Sequence, residues 1–198
     1  MITKDTRTAD CWEIEESVPL DVVLDWSLAH RGVDHLLVSA RASLDNPAAL
    51  DEPKIETTIA SVIGDALLES LWATAWPGTR LFKGGSSKVF TAKFDKRIRD
   101  RLVSTENRLS AWQHEHDPPL PSDLCLYRSG DPRPTLVSVT HDIGWFGAWL
   151  FGPFSSEPPF AAPAERPLPE DLVPPAPTFL VPARARVGTA GAPRKRRA

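Results

Sequence analysis

The chain has 198 residues, and 23 Lys+Arg stand against 26 Asp+Glu, a formal net charge of −3 that excludes an ordinary binder of nucleic acid through its whole surface. Apolar residues at 41% and charged residues at 25% exclude a wholly disordered or fibrous chain and match a globular one. The two cysteines, Cys11 and Cys125, are too few for a disulfide framework and lie at no metal-site spacing, so neither a metal nor a cofactor is expected.

Met1 to Arg7 is polar and no apolar run follows it, which argues against a secretory signal and points to the cytoplasm. Ser17 as N-cap, Pro19 in the first turn and Leu20, Val23, Leu24 and Leu28 at helical spacing predict a helix that Gly32 stops. A second short helix is expected over Asp34 to Ala40, with Asp45, Asn46 and Pro47 turning the chain after it. Ile55, Ile59, Val62, Ile63, Ala66, Leu67, Leu71 and Ala75 trace one apolar face, so a long helix is expected to run until Pro77-Gly78 ends it.

Thr79 to Phe82 reads as a short strand and Lys83 to Lys88 as a loop. From Thr91 as N-cap, Phe94, Ile98, Leu102, Leu109 and Trp112 recur at helical spacing opposite a face of Lys, Arg and Asp, the pattern of a solvent-facing amphipathic helix. Pro118, Pro119 and Pro121 break it. The period then becomes two: Leu124 and Leu126 alternate with Cys125 and Tyr127, Ser129 to Pro132 turns, and Thr135 to Thr140 returns as the second strand of a hairpin. Ile143 to Phe151 supplies a third antiparallel strand. The longest apolar stretch, Ile143 to Phe154, falls well short of the roughly 20 residues a spanning helix needs, so no membrane span is expected.

Residues 153–198 hold 11 of the 20 prolines and lose apolar periodicity, which predicts a disordered or polyproline-II-like tail. Its seven Lys/Arg and four Asp/Glu leave the body at −6, and it ends on the basic cluster Arg194-Lys195-Arg196-Arg197. The expected fold is therefore α+β: a single domain over 1–152, with a helical N-terminal half packed on a small antiparallel sheet, and a Pro-rich tail over 153–198.

The run Pro119-Leu120-Pro121-Ser122-Asp123-Leu124-Cys125-Leu126-Tyr127, with Gly130 and then Leu136 to Asp142, resembles a family of small, uncharacterised bacterial proteins with a PEDLCLY-type hairpin. Leu71-Trp72, Pro77-Gly78-Thr79 and Phe82 to Ser86 extend the likeness over roughly residues 60 to 145. Some members carry the label stage III sporulation protein AH. Asp142 stands where the family pattern has Glu. The resemblance implies a shared fold more than an activity.

Several side-chain groups have chemical potential. Lys83, Gly84, Gly85, Ser86 and Lys88 could form a nest of backbone N–H groups between two ammonium groups, suited to an anion, although the spacing is not that of a Walker A loop. A solvated connection between elements explains the same residues. His114-Glu115-His116-Asp117 lacks a third ligand at metal spacing and reads as a polar helix end. Cys125 beside His141-Asp142 is the one nucleophile–base pairing the hairpin could assemble. Trp145, Phe146 and Trp149 lead an aromatic cluster that either fills a core or meets a partner. Alternation sends Trp145, Gly147 and Trp149 to one face of a sheet and Phe146, Ala148 and Leu150 to the other.

The expected function is that of a cytoplasmic bacterial interaction protein, of the adaptor or immunity kind, with Trp145, Phe146 and Trp149 meeting another protein and the acidic body favouring a basic one. No specific nucleic-acid binding is expected, and the oligomeric state stays open. The alternative is a small enzyme or ligand-binding protein that takes an anionic group at Lys83 to Lys88.

Overall fold

A strand buried on both faces and a strand at a sheet edge are the two elements whose patterning is hardest to tell from a helix, and both occur in this chain. The computed structural model describes residues 11–40, 52–80, 87–113, 120–131, 133–140, 146–154 and 156–164. Their strands are β1 (Cys11–Ile14), β2 (His35–Ala40), β3 (Leu67–Ala73), β4 (Ala75–Trp76), β5 (Thr79–Arg80), β6 (Ser87–Lys93), β7 (Ser122–Tyr127), β8 (Leu136–Val139), β9 (Gly147–Phe151) and β10 (Ala161–Pro163). The helices are α1 (Leu20–Arg31), α2 (Glu52–Val62) and α3 (Lys96–Thr105). Eight strands form one sheet in the order β10-β1-β9-β8-β7-β2-β6-β3, while β4 and β5 form a hairpin of their own. Every pairing in the large sheet is antiparallel.

This overturns the expected helical half on a small sheet. The sheet dominates, and the N-terminal half of the chain supplies β1, β2, β3 and β6 to it. The physical reason lies in the centre. β2 has β6 on one side and β7 on the other, and its residues beyond His35 are all buried. A strand covered on both faces needs apolar residues in succession, which erases the period-two signal.

The long helix expected from Ile55 to Ala75 ends at Val62. Gly64, at φ +53°, turns the chain through a short 3-10 segment, and Leu67 to Ala73 then pairs with β6 as β3. Pro77-Gly78 is the turn of the β4–β5 hairpin, with Gly78 at φ +80°. Thr91 lies within β6, not at a helix start. Asp95 caps α3, its Oδ1 accepting from Ile98 N at 2.9 Å.

Where the local signals agreed, the elements form. α1 starts after Pro19 and ends at Gly32, whose left-handed backbone lets its N–H donate to Leu28 O at 3.2 Å. Ser17 does not cap it. Asn107 does so from a distance: Asp21 N donates to its Oδ1 at 2.9 Å, and Leu20 N to its carbonyl at 2.8 Å. β7 and β8 form the expected hairpin, with Cys125 opposite Val137 and Leu126 opposite Leu136, and β9 follows as the third antiparallel strand.

The helices cover one face, where Leu20, Leu24, Ile98 and Leu102 join Leu36, Val38, Leu126 and Leu136 in the main core. On the other face Leu37, Val89, Tyr127, Val137, Val139 and Trp149 form a second buried cluster, with Trp76 of the β4–β5 hairpin among them. Ala148 and Leu150 face the first cluster and Trp149 the second, as alternation requires. Residues past Gly152 contribute β10, which pairs with β1, and Phe154 and Phe160, which lie edge-on to Trp26 at 4.7 and 6.0 Å between ring centroids.

Candidate functional site at the edge of the sheet

The centre of the sheet is locked by one carboxyl group. Asp123 adopts φ +56° where β7 carries an extra residue relative to β2, so that Leu37 faces Cys125 but Ser39 faces Ser122. Asp is one of the few residues that tolerate this backbone, and the irregularity turns its side chain under the β4–β5 hairpin. Its Oδ2 accepts from Trp76 Nε1 at 2.7 Å, Ser39 Oγ at 3.3 Å and Thr79 Oγ1 at 3.4 Å. Its Oδ1 accepts from Thr140 N at 2.9 Å, and its own N–H donates to Thr140 Oγ1 at 3.1 Å. Thr140 Oγ1 in turn donates to the Trp112 carbonyl. Asp123 is fully buried, so this network fastens the hairpin to the sheet and offers no surface to a ligand.

The edge formed by β3 is built differently. β3 pairs with β6 on one side and is the last strand of the sheet among the described residues. Ser70 and Trp72 lie opposite Phe90 and Lys88, so they share the helix-covered face, whereas Leu71 and Ala73 share the other. A bulge between Leu67 and Glu69 disturbs the start of the strand. Leu67, Leu68 and Trp72 are 43%, 46% and 55% exposed, three of the four large hydrophobic residues exposed among the described residues. The fourth is Val22 on α1.

Beneath α2, a cavity of about 400 Å³ opens beside this strand. Ile59 and Phe90 give it an apolar wall, and Leu67 and Ser70 of β3 form its outer side. Lys88 and Glu56 bring charge to it. The Lys88 ammonium is in contact with the Glu56 carboxylate and lies 5.6 Å from the centre of the Phe90 ring. A short distance along the chain, Arg97 donates to Asp65 at 2.7 Å, which holds the Asp65 carboxyl below its ordinary pKa. The cavity lies within the size range of small-ligand pockets.

Among the described residues, two groups with catalytic potential do not assemble into machinery. Cys125 is fully buried, and burial, with Asp123 nearby, pushes its thiol pKa well up, so it is a neutral core residue and not a nucleophile. Asp34, His35 and Ser129 meet at the rim of the sheet. Asp34 Oδ1 is 2.7 Å and Ser129 Oγ 3.4 Å from the same ring nitrogen, His35 Nδ1. A proton relay needs base and orienting acid on the two different nitrogens, so this geometry orders a turn and relays nothing. Burial alone would raise the Asp34 pKa; hydrogen bonds from Ser129 and His35 outweigh it and hold the carboxyl below its ordinary value. Among the described residues, no group of three or more His, Cys, Asp or Glu is placed to hold a metal ion.

Of the residues singled out in the sequence, Trp149 is 5% exposed and sits in the second buried cluster, and Phe146 is half-buried against the first. Trp145 lies outside the described residues, as do Lys83, Gly84, Gly85 and Ser86. His114 to Asp117 and His141-Asp142 lie outside them too. Lys88 belongs to β6 and lines the cavity, paired with Glu56. The exposed strand residues Leu67, Leu68 and Trp72 escaped the sequence reading because Leu67 and Leu71 extend the apolar face of α2. The available signal was Gly64, a residue free to break a helix, standing before a stretch with Leu, Ser and Trp that also suits a strand.

No protein-family model, no curated protein and no solved structure matches this chain. Among the described residues, no helix is long and apolar enough to cross a membrane.

Proposed function

We propose that this protein is a cytoplasmic, non-catalytic interaction module, of the adaptor or immunity kind, that engages another protein chain through the edge strand β3. The observation that carries the reading is the concentration of exposed large apolar side chains on one terminal strand: Leu67, Leu68 and Trp72. A sheet edge presents a row of unpaired N–H and C=O groups to which an extended segment can add, while pockets beside it select side chains. Natural edges are commonly blunted by charge, and this one carries a single acidic residue, Glu69, amid Leu, Ser, Trp and Ala. Trp149 is 5% exposed and Trp72 55%, which favours Trp72 as the centre of the proposed surface.

The test is a photo-reactive phenylalanine analogue placed at position 72 and, as control, at the exposed Val22 position, in the full-length chain inside cells. Position 72 should yield a discrete protein adduct and position 22 none. Equal labelling at both, or at neither, would sink the reading.

A second reading has one supporting observation, the cavity lined by Lys88. There an anionic small molecule would compete with Glu56 for the ammonium. Phosphate or a nucleotide would then raise the melting temperature through preferential binding to the folded chain. An unchanged Tm at millimolar ligand eliminates it.

A further inference from the structure

We propose that residues 158–164 are an edge guard: they occupy the β1 edge of the sheet as an added strand would, and the side they turn outward has no N–H to give. The guard lies at the end of the sheet opposite β3 and stands whether or not β3 takes a partner. β10 runs antiparallel to β1, with Trp12 opposite Pro163, Glu13 opposite Ala162 and Ile14 opposite Ala161. Ala164 N donates to Cys11 O at 3.0 Å, so Cys11 and Ala164 form a hydrogen-bonded pair of the ladder. Such pairs alternate along an antiparallel ladder, which makes Glu13 with Ala162 the next one and points the backbone groups of Ala161 and Pro163 away from β1. Those outward positions are where a further strand would add. Pro163 has no N–H, and Ala161 N is already donated to Pro158 O at 3.3 Å. An incoming strand would meet carbonyls at both positions and a donor at neither, and its own carbonyls facing them would go unsatisfied.

Contacts outside the ladder hold the guard in place. Phe154 and Phe160 lie edge-on to Trp26 of α1, and with Ala161 they pack against the main core. Arg31, at the end of α1, donates to Pro153 O at 2.6 Å, lies 5.5 Å from the centre of the Phe154 ring and pairs with Asp131 at 3.5 Å. These contacts fix the chain's approach to β10, so a strand of three residues, too short to hold by its ladder alone, stays paired. Without the guard, β1 would present the Glu13 N–H together with the carbonyls of Cys11 and Glu13, a row of donors and acceptors that another chain can extend. The prolines that suggest a tail in the sequence have a place in this device. Pro163 stands where no donor to β1 is needed, and Pro158 supplies the carbonyl that takes up the Ala161 N–H.

The experiment uses the full-length chain, with sedimentation equilibrium and amide hydrogen exchange read on the same variants. Phe160→Ala combined with Ala162→Pro removes a ring from Trp26 and a donor from the ladder, and should release the guard. The Glu13 amide should then lose its protection while α1 and β7 keep theirs. The mass should rise to about twice that of the wild type at the same concentration, as two opened β1 edges pair. Ala162→Pro alone is the milder form and is read in the same way should the double variant not fold. Pro163→Val tests the seal without releasing the guard: it leaves the ladder to β1 whole, restores an outward N–H, and should also raise the mass above that of the wild type. These shifts should persist when Trp72→Lys is added, because they belong to the other end of the sheet. A deprotected Glu13 amide with the mass unchanged overturns the guard, as does a Pro163→Val chain of wild-type mass. Glu13 protection that stays in both release variants, or goes only together with that of α1 and β7, overturns it too. A mass shift abolished by Trp72→Lys would place the association at β3 and refute the guard while leaving the edge reading standing.

Discussion

Trp72 and Trp76 stand four residues apart in one chain and occupy opposite situations. Trp76 is 2% exposed, its indole N–H donated to Asp123 at 2.7 Å and its ring packed among Leu37, Val89 and Val137. Trp72 is 55% exposed on the last strand of the sheet. The same side chain closes the structure at its centre and leaves it open at its edge. The contrast separates two situations: polar groups around Asp123 are satisfied inward and serve stability, whereas β3 carries exposed apolar side chains on the last described strand, where the proposed partner would add.

The comparison can be broken most directly by truncating its buried member. Trp76→Ala should cost about 3–5 kcal/mol in urea unfolding, the usual range for a fully buried Trp. A cost below about 1 kcal/mol would mean that the hairpin is not fastened as the Asp123 network implies. Gly78→Ala attacks the same hairpin through its turn. A Cβ there would lie 2.3 Å from Val139 Cγ2 and 3.2 Å from Val137 Cγ1, with the backbone at φ +80°. Overpacking of about 1–3 kcal/mol adds to about 1–2 kcal/mol for the left-handed backbone. Adding Val139→Ala removes the 2.3 Å contact but neither the one to Val137 nor the backbone strain, so the double variant should show a favourable coupling.

A smaller effect belongs to the rim. The folded state holds Asp34 below its ordinary pKa, so it favours the ionised form. The resulting stabilisation is present above the unfolded-state pKa and is lost as pH falls through the folded value. Asp34→Asn should therefore lie below the wild type at neutral pH and converge with it in acid. Parallel pH–stability curves would show that Asp34 contributes nothing through its charge. The smallest effect should come from Trp72→Ala, within about 0.5 kcal/mol of the wild type when the isolated single chains are compared. A large loss of stability there would place Trp72 with Trp76 and end the distinction.

Legibility in the sequence followed the range over which each signal acts. α1 was legible because Leu20, Val23, Leu24 and Leu28 share a face and Gly32 ends the helix by its own backbone freedom. The β7–β8–β9 meander was legible because alternation at Leu124 to Tyr127 and a Ser-Gly-Asp-Pro turn are both local. β2 was not, since neighbours on both sides and cores on both faces call for unbroken apolar residues. β3 was not, since Leu67 and Leu71 continue the period of α2 and only pairing with β6 turns them into a strand. The candidate site shared that fate: its strand was read as helix core, and its cavity exists only where α2, β3 and β6 meet.

By itself the chain determined its composition class, the amphipathic faces of α1 and α3 and the local hairpin, because these depend on residues within a few positions of one another. The tertiary structure alone decided that one antiparallel sheet of eight strands would organise the molecule, that Asp123 would gather Ser39, Trp76, Thr79 and Thr140 from distant segments, and that of two tryptophans four residues apart one would be buried and the other left at an edge. Strand pairing and burial are non-local, and their free energy is realised only when remote segments meet.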